Sequence, residues 1–218
     1  MYSVIIVAGG TGSRMQRPAP KQFDLLKGKP VIVYSIEKFL AFSKDMQIIV
    51  ALNPVYFELF SSIQKEFKLP EITLANGGET RFHSVKNGLQ EVHEKATIVA
   101  IHDAARPLVN LQTIKNTFAE AEKNDAAIPV IEVNESLREI TLQSSRAADR
   151  KNYRVVQTPQ CFKKEILFEA YRQEYTGSFT DDATVVEAAG HRIFLTEGNI
   201  ENIKITYPHD LVLASSLV

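Results

Sequence analysis

The chain has 218 residues, of which 44% are hydrophobic, and a formal net charge of −1 at pH 7. This length suits a single domain over residues 1–218, and the balanced charge argues against a surface that coats nucleic acid. One cysteine, Cys161, excludes an internal disulfide, and no apolar run reaches the roughly 18 residues of a membrane span. We therefore expect a cytoplasmic protein that binds neither a membrane nor nucleic acid, so any basic site must be local.

The first two dozen residues form the most informative stretch. Residues 4–7 are a short, β-branched apolar run that predicts a buried strand, and a glycine-rich loop follows at residues 8–12. Such a loop lets backbone N–H groups face a bound anion, and the cations Arg14 and Lys21 come before the first acid, Asp24. The stretch predicts a polyphosphate site. The alternative is a strand–helix connection with incidental surface cations.

Two well-known phosphate loops do not match this stretch. The pattern G-x-G-x-x-G starting at Gly10 has Met15 at its third glycine position, and the Gly-Lys-Ser/Thr of a Walker loop is missing. A dinucleotide fold also needs an acid near the end of the second strand, where this chain has Leu52-Asn53-Pro54. The sequence therefore does not favour an NAD site.

Strands and helices alternate along the rest of the chain, which predicts a Rossmann-like α/β fold with a mostly parallel, twisted sheet and helices on both faces. The later predicted strands cover residues 47–52, 72–75, 97–101, 126–133, 153–157, 192–196 and 202–206. The predicted helices cover residues 55–67, 80–92, 111–124 and 163–175, and others begin at Pro30, Thr180 and Pro208, with Thr180 as a capping candidate.

Charged side chains stand at the ends of several of these elements. Asp103 and Arg106 follow the strand 97–101, where open α/β sheets bind ligands, although the pair could instead brace the turn. Arg81 and Ser84 lie near the start of the helix 80–92, where donors can meet a ligand. Lys204 interrupts an apolar strand pattern, where an unpaired charge is costly, so it should face an anion.

Residues 134–152 differ from the rest of the chain because they are polar and rich in charge. Weak alternation around Leu137, Ile140 and Leu142 predicts an exposed hairpin rather than a core element. We expect this protruding β-arm to bind another molecule. The alternative is a flexible insertion.

The residue types favour nucleotidyl transfer. A nucleophilic Ser–His pair, a convincing catalytic cysteine and a carboxylate pair at hydrolase spacing are not found, whereas cations flank the loops and strand ends. If the attacking group is a phosphate oxygen, it is already ionised at pH 7 and needs no general base. Such a reaction asks for positioning and charge stabilisation, which a glycine loop, several cations and one aspartate near a magnesium ion supply.

Six stretches make a resemblance specific: AGGTGSRM with PKQF, GGETRFHSV, HDAARP, DRKNYRVVQTPQ, TDD and NIKIT. In this order, and over almost the whole chain, the sequence resembles the 2-C-methyl-D-erythritol 4-phosphate cytidylyltransferase family of non-mevalonate isoprenoid synthesis. The resemblance implies an enzyme that joins CTP and 2-C-methyl-D-erythritol 4-phosphate to give 4-diphosphocytidyl-2-C-methyl-D-erythritol and pyrophosphate. The alternatives are a ribitol 5-phosphate cytidylyltransferase and a non-catalytic nucleotide-binding module.

The resemblance also implies residue roles. Arg14 and Lys21 would be catalytic, through charge stabilisation at the α-phosphate. The implied nucleotide-binding residues are Ala8, Gly9, Gly10, Gly12, Gly78, Glu79, Arg81, Ser84 and Asp103, and the implied acceptor-binding residues are Arg106, Ser136, Arg150, Thr158, Thr180 and Lys204. Mg²⁺ would arrive on the CTP phosphates with Asp103 nearby and no direct protein ligand. The arm would reach a second subunit, so that Arg150 acts across a homodimer.

Two positions depart from the family pattern. Glu135-Ser136 stands where Asp-Thr is common, and the hydroxyl is kept. Glu79 stands where Asp is common; the change is harmless if its backbone carbonyl reads cytosine, whereas use of the side chain would alter cytosine selectivity.

Overall fold

The computed structural model describes residues 1–9 and 20–218. Its strands are β1 Tyr2–Val7, β2 Leu25–Leu26, β3 Lys29–Pro30, β4 Gln47–Leu52, β5 Thr73–Asn76, β6 Ile98–Asp103, β7 Ala126–Glu132, β8 Leu137–Ile140, β9 Ser145–Ala148, β10 Arg154–Val156, β11 Gln160–Lys163 and β12 Phe194–Glu197. Its α-helices are α1 Val31–Phe42, α2 Phe57–Glu66, α3 Arg81–Gln90, α4 Leu111–Asn124, α5 Lys164–Ala170, α6 Asp182–Ala188 and α7 Pro208–Ser216. None of these helices is long and apolar enough to cross a membrane.

The main sheet is parallel at its centre and mixed at one side. Strands β5, β4, β1 and β6 are parallel neighbours in that order. The short strand β11 then pairs antiparallel with both β6 and β7, while β12 runs parallel to β7 at the far side. Since β1, β4 and β6 all end at the same edge, the residues that follow them meet there.

Helices cover both faces of this sheet, as the alternation of β1 shows. Val4 and Ile6 belong to the apolar cluster that includes residues of α1, α2 and α4, whereas Ile5 belongs to the cluster on the opposite face with residues of α3, α5 and α6. Consecutive side chains of a strand point to opposite faces, so a strand buried on both sides is apolar throughout. The predicted Rossmann-like α/β architecture is confirmed.

The arm is a separate two-stranded hairpin of β8 and β9, with Leu137 opposite Ala148. Its side chains are mostly exposed, and Leu142 at the tip is fully so. The predicted exposed hairpin is therefore present within residues 134–152.

Several local predictions are wrong. Residues 202–206 are not a strand: Ile205 donates one backbone hydrogen bond to Ala105, at 2.8 Å, without a sheet ladder. Residues 153–156 do not return to the core, because β10 is an exposed strand and burial begins at Gln157. Thr180 is exposed and does not cap α6; the side chain of Asp181 does, accepting from the Thr184 N–H at 2.9 Å. The strand β11 was not predicted, and α5 ends at Ala170, before the predicted end at residue 175.

Gly88 sets how closely α3 approaches the sheet, which leads to a first prediction. A Cβ at this position would lie 2.7 Å from Cγ2 of Ile5, a fully buried side chain of the central strand. Alanine favours helix by about 1 kcal/mol over glycine, but overpacking a core costs about 1–3 kcal/mol. We expect Gly88→Ala to lower the free energy of unfolding in urea by about 1 kcal/mol or more.

The matched control is Gly177→Ala, because a Cβ at Gly177 meets nothing within 4 Å. This variant should unfold at the wild-type urea concentration or slightly above it. A Gly88→Ala protein at least as stable as the wild type would show that the contact with Ile5 does not limit the packing of α3.

Candidate active site at the carboxyl edge of the sheet

Asp103, the last residue of β6, is the centre of a charged cluster. Its carboxylate lies 2.8 Å from Nζ of Lys204, 3.4 Å from Nε of Arg81 and 3.5 Å from Nε of Arg106. These cations come from the segment after β12, the first turn of α3 and the turn after β6. The anion that Lys204 was predicted to face is thus a carboxylate of the same chain.

The cluster keeps Asp103 ionised. Burial alone would raise the pKa of its carboxyl, but the charges of Arg81, Lys204 and Arg106 outweigh burial and hold the pKa well below its usual range. The cations differ in their exposure to solvent: the side chain of Lys204 is 40% exposed and that of Arg106 is 13% exposed. Lys204 is therefore the most accessible cation of the cluster to a ligand in solution.

Arg81 is held from its other side by Asp182, the first residue of α6. The guanidinium and this fully buried carboxylate lie 2.7 Å apart at two atom pairs, and the Tyr171 hydroxyl donates to the same carboxylate at 2.6 Å. Burial lowers the pKa of Arg81, yet Asp182 and Asp103 raise it further than burial lowers it. Arg81 thereby ties α3 to α6 and to the end of β6, and its positive charge is largely compensated by carboxylates of the protein.

Gly9, in the described part of the first predicted nucleotide loop, lies beside the second loop at the same edge. The Ser84 hydroxyl accepts from the N–H of Gly78 at 3.0 Å and donates to the Thr80 carbonyl at 3.0 Å. A Cβ at Gly9 would lie 2.8 Å from the Ser84 oxygen, so glycine at this position lets the chain after β1 approach the first turns of α3 this closely. The side chain of Glu79, on the second loop, is exposed.

Lys21 lies in a 3₁₀ turn, Lys21–Phe23, that is attached to the first loop. The buried side chain of Gln22 donates to the Ala8 carbonyl at 2.6 Å. This bond ties the turn that carries Lys21 to the end of β1. Gly10, Gly12 and Arg14 lie outside the described residues.

The remaining predicted acceptor residues are divided among three places. Thr158 is buried beside Asp103, with its Oγ1 3.1 Å from the Asp103 backbone nitrogen. Ser136 is exposed in the arm, and Thr180 is exposed before α6. Arg150 is also exposed, at the base of the arm, where its guanidinium donates to the Asn134 carbonyl.

Sequence reasoning missed the residues that support the site from behind. Asp182 lies in the TDD stretch, but only Thr180 was selected from it. Asn202 donates to the Thr158 carbonyl at 2.9 Å, and its own carbonyl accepts from Arg106 at 2.8 Å. Asn202 stands between Glu201 and Ile203, so no local pattern marks it as a buried amide that needs partners.

Known proteins are similar to this chain over almost its whole length. A sequence profile of the 2-C-methyl-D-erythritol 4-phosphate cytidylyltransferase family matches residues 2–218. The chain belongs to this family. The enzyme of that name from Bacteroides thetaiotaomicron is 47% identical over 217 residues, which cover 99% of both sequences.

Two solved cytidylyltransferase structures agree with this membership. The crystal structure of the Thermus thermophilus enzyme is 30% identical, with a TM-score of 0.78, and the match covers 100% of this chain and 98% of that one. The Francisella tularensis structure is 28% identical, with a TM-score of 0.82, and the match covers all of both chains. The resemblance drawn from the six sequence stretches is confirmed.

The charge cluster generates the second prediction. Asp103→Asn keeps the side-chain shape but leaves three cations without their shared anion. Breaking a buried ion pair costs about 3–5 kcal/mol, and the partial exposure of Lys204 places the expected loss near the lower value. Urea unfolding at pH 7 measures it. Asp125→Asn is the control, since the Asp125–Lys163 pair is about half exposed and its loss should cost less than about 1 kcal/mol.

The stability difference should depend on pH in one direction. The folded-state pKa of Asp103 is depressed, so its contribution is present above the unfolded-state value of about 3.9 and is lost as pH falls below it. The gap between wild type and Asp103→Asn should therefore be constant from about pH 5 to 7 and narrow below about pH 4. A gap that widens on acidification would contradict an ionised Asp103 in the folded protein.

Proposed function

We propose that this protein transfers the cytidylyl group of CTP to the phosphate of 2-C-methyl-D-erythritol 4-phosphate and releases pyrophosphate, with the residue roles set out below. The observation that carries the activity is family membership across residues 2–218. The chain is thus a nucleotidyltransferase of isoprenoid biosynthesis.

On the nucleotide side, the proposed site is formed by the end of β1 and by the second loop, which Ser84 braces. The Gly78 N–H and the Thr80 carbonyl are already bonded to Ser84, so the base would be read by neighbouring backbone groups and by the remaining lone pair of the hydroxyl. Glycine at positions 9 and 78 keeps this surface free of side chains; a Cβ at Gly78 would lie 2.4 Å from Cβ of His83. Glu79 would contribute through its backbone, which explains why a longer acid is accepted there.

On the acceptor side, Arg106 and Lys204 would bind the phosphate. Arg81, Arg106 and Lys204 face two carboxylates, Asp103 and Asp182, so the cluster carries one positive charge in excess. A phosphate next to Lys204 would interact with this excess positive charge in a partly buried site, where charge interactions are stronger than in water.

The chemical step needs positioning and charge stabilisation. A phosphate oxygen of the acceptor attacks the α-phosphorus of CTP, a P–O bond forms, and the bond to the leaving pyrophosphate breaks. Negative charge grows on the leaving group, where Lys21 and Arg14 would stabilise it. The acceptor phosphate is ionised at neutral pH, so the chain needs no general base.

Mg²⁺ is proposed to arrive with CTP. Within residues 1–9 and 20–218, no group of three or more His, Cys, Asp or Glu side chains could hold a metal ion. Asp103 is committed to three cations, and hard Mg²⁺ commonly keeps water and substrate phosphates as ligands. The ion would neutralise phosphate charge, while the chain's own residues hold the phosphates in place.

A homodimer through the arm is proposed on the exposed apolar surface. Ile140 is 78% exposed and Leu142 fully exposed at the arm, and Leu195 and Ile200 are 58% and 70% exposed in β12 and the loop after it. A groove of about 580 Å³ runs along β7, β10 and β12, lined in part by Ile131, Leu195 and Ile200. The arm of a second copy would cover both surfaces and bring Arg150 to the partner's acceptor site.

The third prediction tests the activity itself by release of pyrophosphate. CTP and Mg²⁺ with 2-C-methyl-D-erythritol 4-phosphate should give turnover, while ribitol 5-phosphate should give little, and EDTA should stop the reaction. Lys21→Ala should lower kcat about 100-fold, the scale of one lost transition-state stabiliser. Lys29→Ala is the control, because Lys29 has no role in the proposed chemistry and forms an ion pair with Glu37, with 2.6 Å between Nζ and the carboxylate. Faster turnover of ribitol 5-phosphate than of 2-C-methyl-D-erythritol 4-phosphate would show that the proposed acceptor is wrong.

The fourth prediction tests the composite site. Arg150→Ala and Lys204→Ala should each be nearly inactive alone, but in a mixed dimer one site collects both changes and the other has neither. Mixing after subunit exchange should restore up to about half of the wild-type activity per heterodimer. Arg146→Ala, in the same arm, should stay active, because that exposed guanidinium pairs with Glu139. No recovery despite demonstrated exchange would place Arg150 in its own subunit's site or outside the chemistry, where its bond to Asn134 would brace the arm.

A further inference from the structure

His102 lies in β6 immediately before Asp103, and its imidazole is completely buried. Its Nε2 is 3.1 Å from the carbonyl oxygen of Arg106, and its Nδ1 is 3.0 Å from Oγ1 of Thr158. The ring of Phe39 packs edge-on against it, with centroids 5.0 Å apart. Both ring nitrogens therefore face polar atoms of residues that surround Asp103.

The partners of the imidazole decide where its proton lies. A carbonyl oxygen can only accept, so Nε2 must carry a proton to bond to Arg106. Burial lowers the pKa of His102 to about 4, so the ring is neutral at pH 7 and carries one proton only. Nδ1 is then an acceptor, and the Thr158 hydroxyl donates to it.

The same hydroxyl has a second partner. The backbone N–H of Asp103 donates to Thr158 Oγ1 at 3.1 Å. A hydroxyl has one proton and two lone pairs, of which the proton is used by His102 and one lone pair by Asp103. One lone pair remains for a ligand, so Thr158 can accept a hydrogen bond from it but cannot donate one.

We propose that His102 and Thr158 are positioning residues that act on Asp103, and that Thr158 does not donate to the acceptor's phosphate. The imidazole orients the hydroxyl, the hydroxyl fixes the Asp103 backbone, and the carboxylate is thereby held where Arg106 and Lys204 meet it. This inference rests on the proposed function and departs from the resemblance in one respect, because the resemblance counts Thr158 among the acceptor-binding residues.

The first experiment reads the proton positions directly. Long-range ¹H–¹⁵N spectra of the ¹⁵N-histidine protein at pH 7, with His102 assigned by His102→Asn, should show a protonated Nε2 and an unprotonated Nδ1. A protonated Nδ1 would overturn the proposal, because Thr158 would then keep its proton for a ligand. This measurement needs no turnover, so it stands even if the protein fails to use CTP.

The second experiment compares Thr158→Val with His102→Leu in the assay of pyrophosphate release. Positioning requires both to lower kcat/KM for the acceptor by a similar factor, about tenfold for one lost hydrogen bond, and the double variant to be no worse than either. Direct donation makes the opposite prediction. His102→Leu would then free the Thr158 proton and leave the acceptor KM unchanged or lower it, while Thr158→Val alone would raise that KM.

Three further variants serve as controls for this comparison. His102→Asn, which can offer an amide oxygen near the place of Nδ1, and Thr158→Ser, which keeps the hydroxyl, should each retain most of the activity. His93→Leu, at a histidine outside the site, should behave as wild type. If His102→Leu does not fold, the test uses the spectra and the comparison of Thr158→Val with Thr158→Ser. The proposal is refuted if Nδ1 is protonated and Thr158→Val changes only the KM for the acceptor, by raising it.

Discussion

The site depends on one buried carboxylate. Asp103 gathers Arg81, Arg106 and Lys204, which come from three separate parts of the chain. Without that anion the cations would repel one another, and although Asp182 would still hold Arg81, the end of β6 would lose the interaction that draws α3 and the segment around Lys204 together. The carboxylate can remain charged in this setting because its partners offset the desolvation of each charge.

The cations around Asp103 are not equivalent. Arg81 is saturated by Asp103 and Asp182, and Tyr171 adds a further bond to Asp182, so this part of the cluster is a structural tie between α3 and α6. Lys204 bonds to Asp103 and stays 40% exposed. The division leaves one side as a tie whose charge is compensated within the protein and the other as an accessible ammonium, so the proposed phosphate would meet a cation that Asp103 already holds in place.

The sequence predicted the elements whose pattern is local and left out those fixed by distant partners. The helix α4 matches its predicted bounds, residues 111–124, because its apolar period and its cap, Asn110, are both local. The strand β11 was missed, because four residues after a proline carry too little pattern. Asp182 was missed because its partner Arg81 is 101 residues away, and no local rule connects them. Arg14, Gly10 and Gly12 stay predictions.

The error at residues 202–206 shows how an irregular segment can be as well held as a strand. The alternation around Lys204 resembles that of a strand. In place of a ladder, however, the segment has a backbone hydrogen bond from the Ile205 N–H to the Ala105 carbonyl. Buried amides replace the ladder: Gln157 donates to the Asn199 carbonyl at 2.9 Å, and Asn202 donates to that of Thr158. The Asn202 carbonyl likewise accepts from Arg106 at 2.8 Å, so side-chain donors hold this segment without a ladder, and Lys204 lies 2.8 Å from Asp103 without belonging to the sheet.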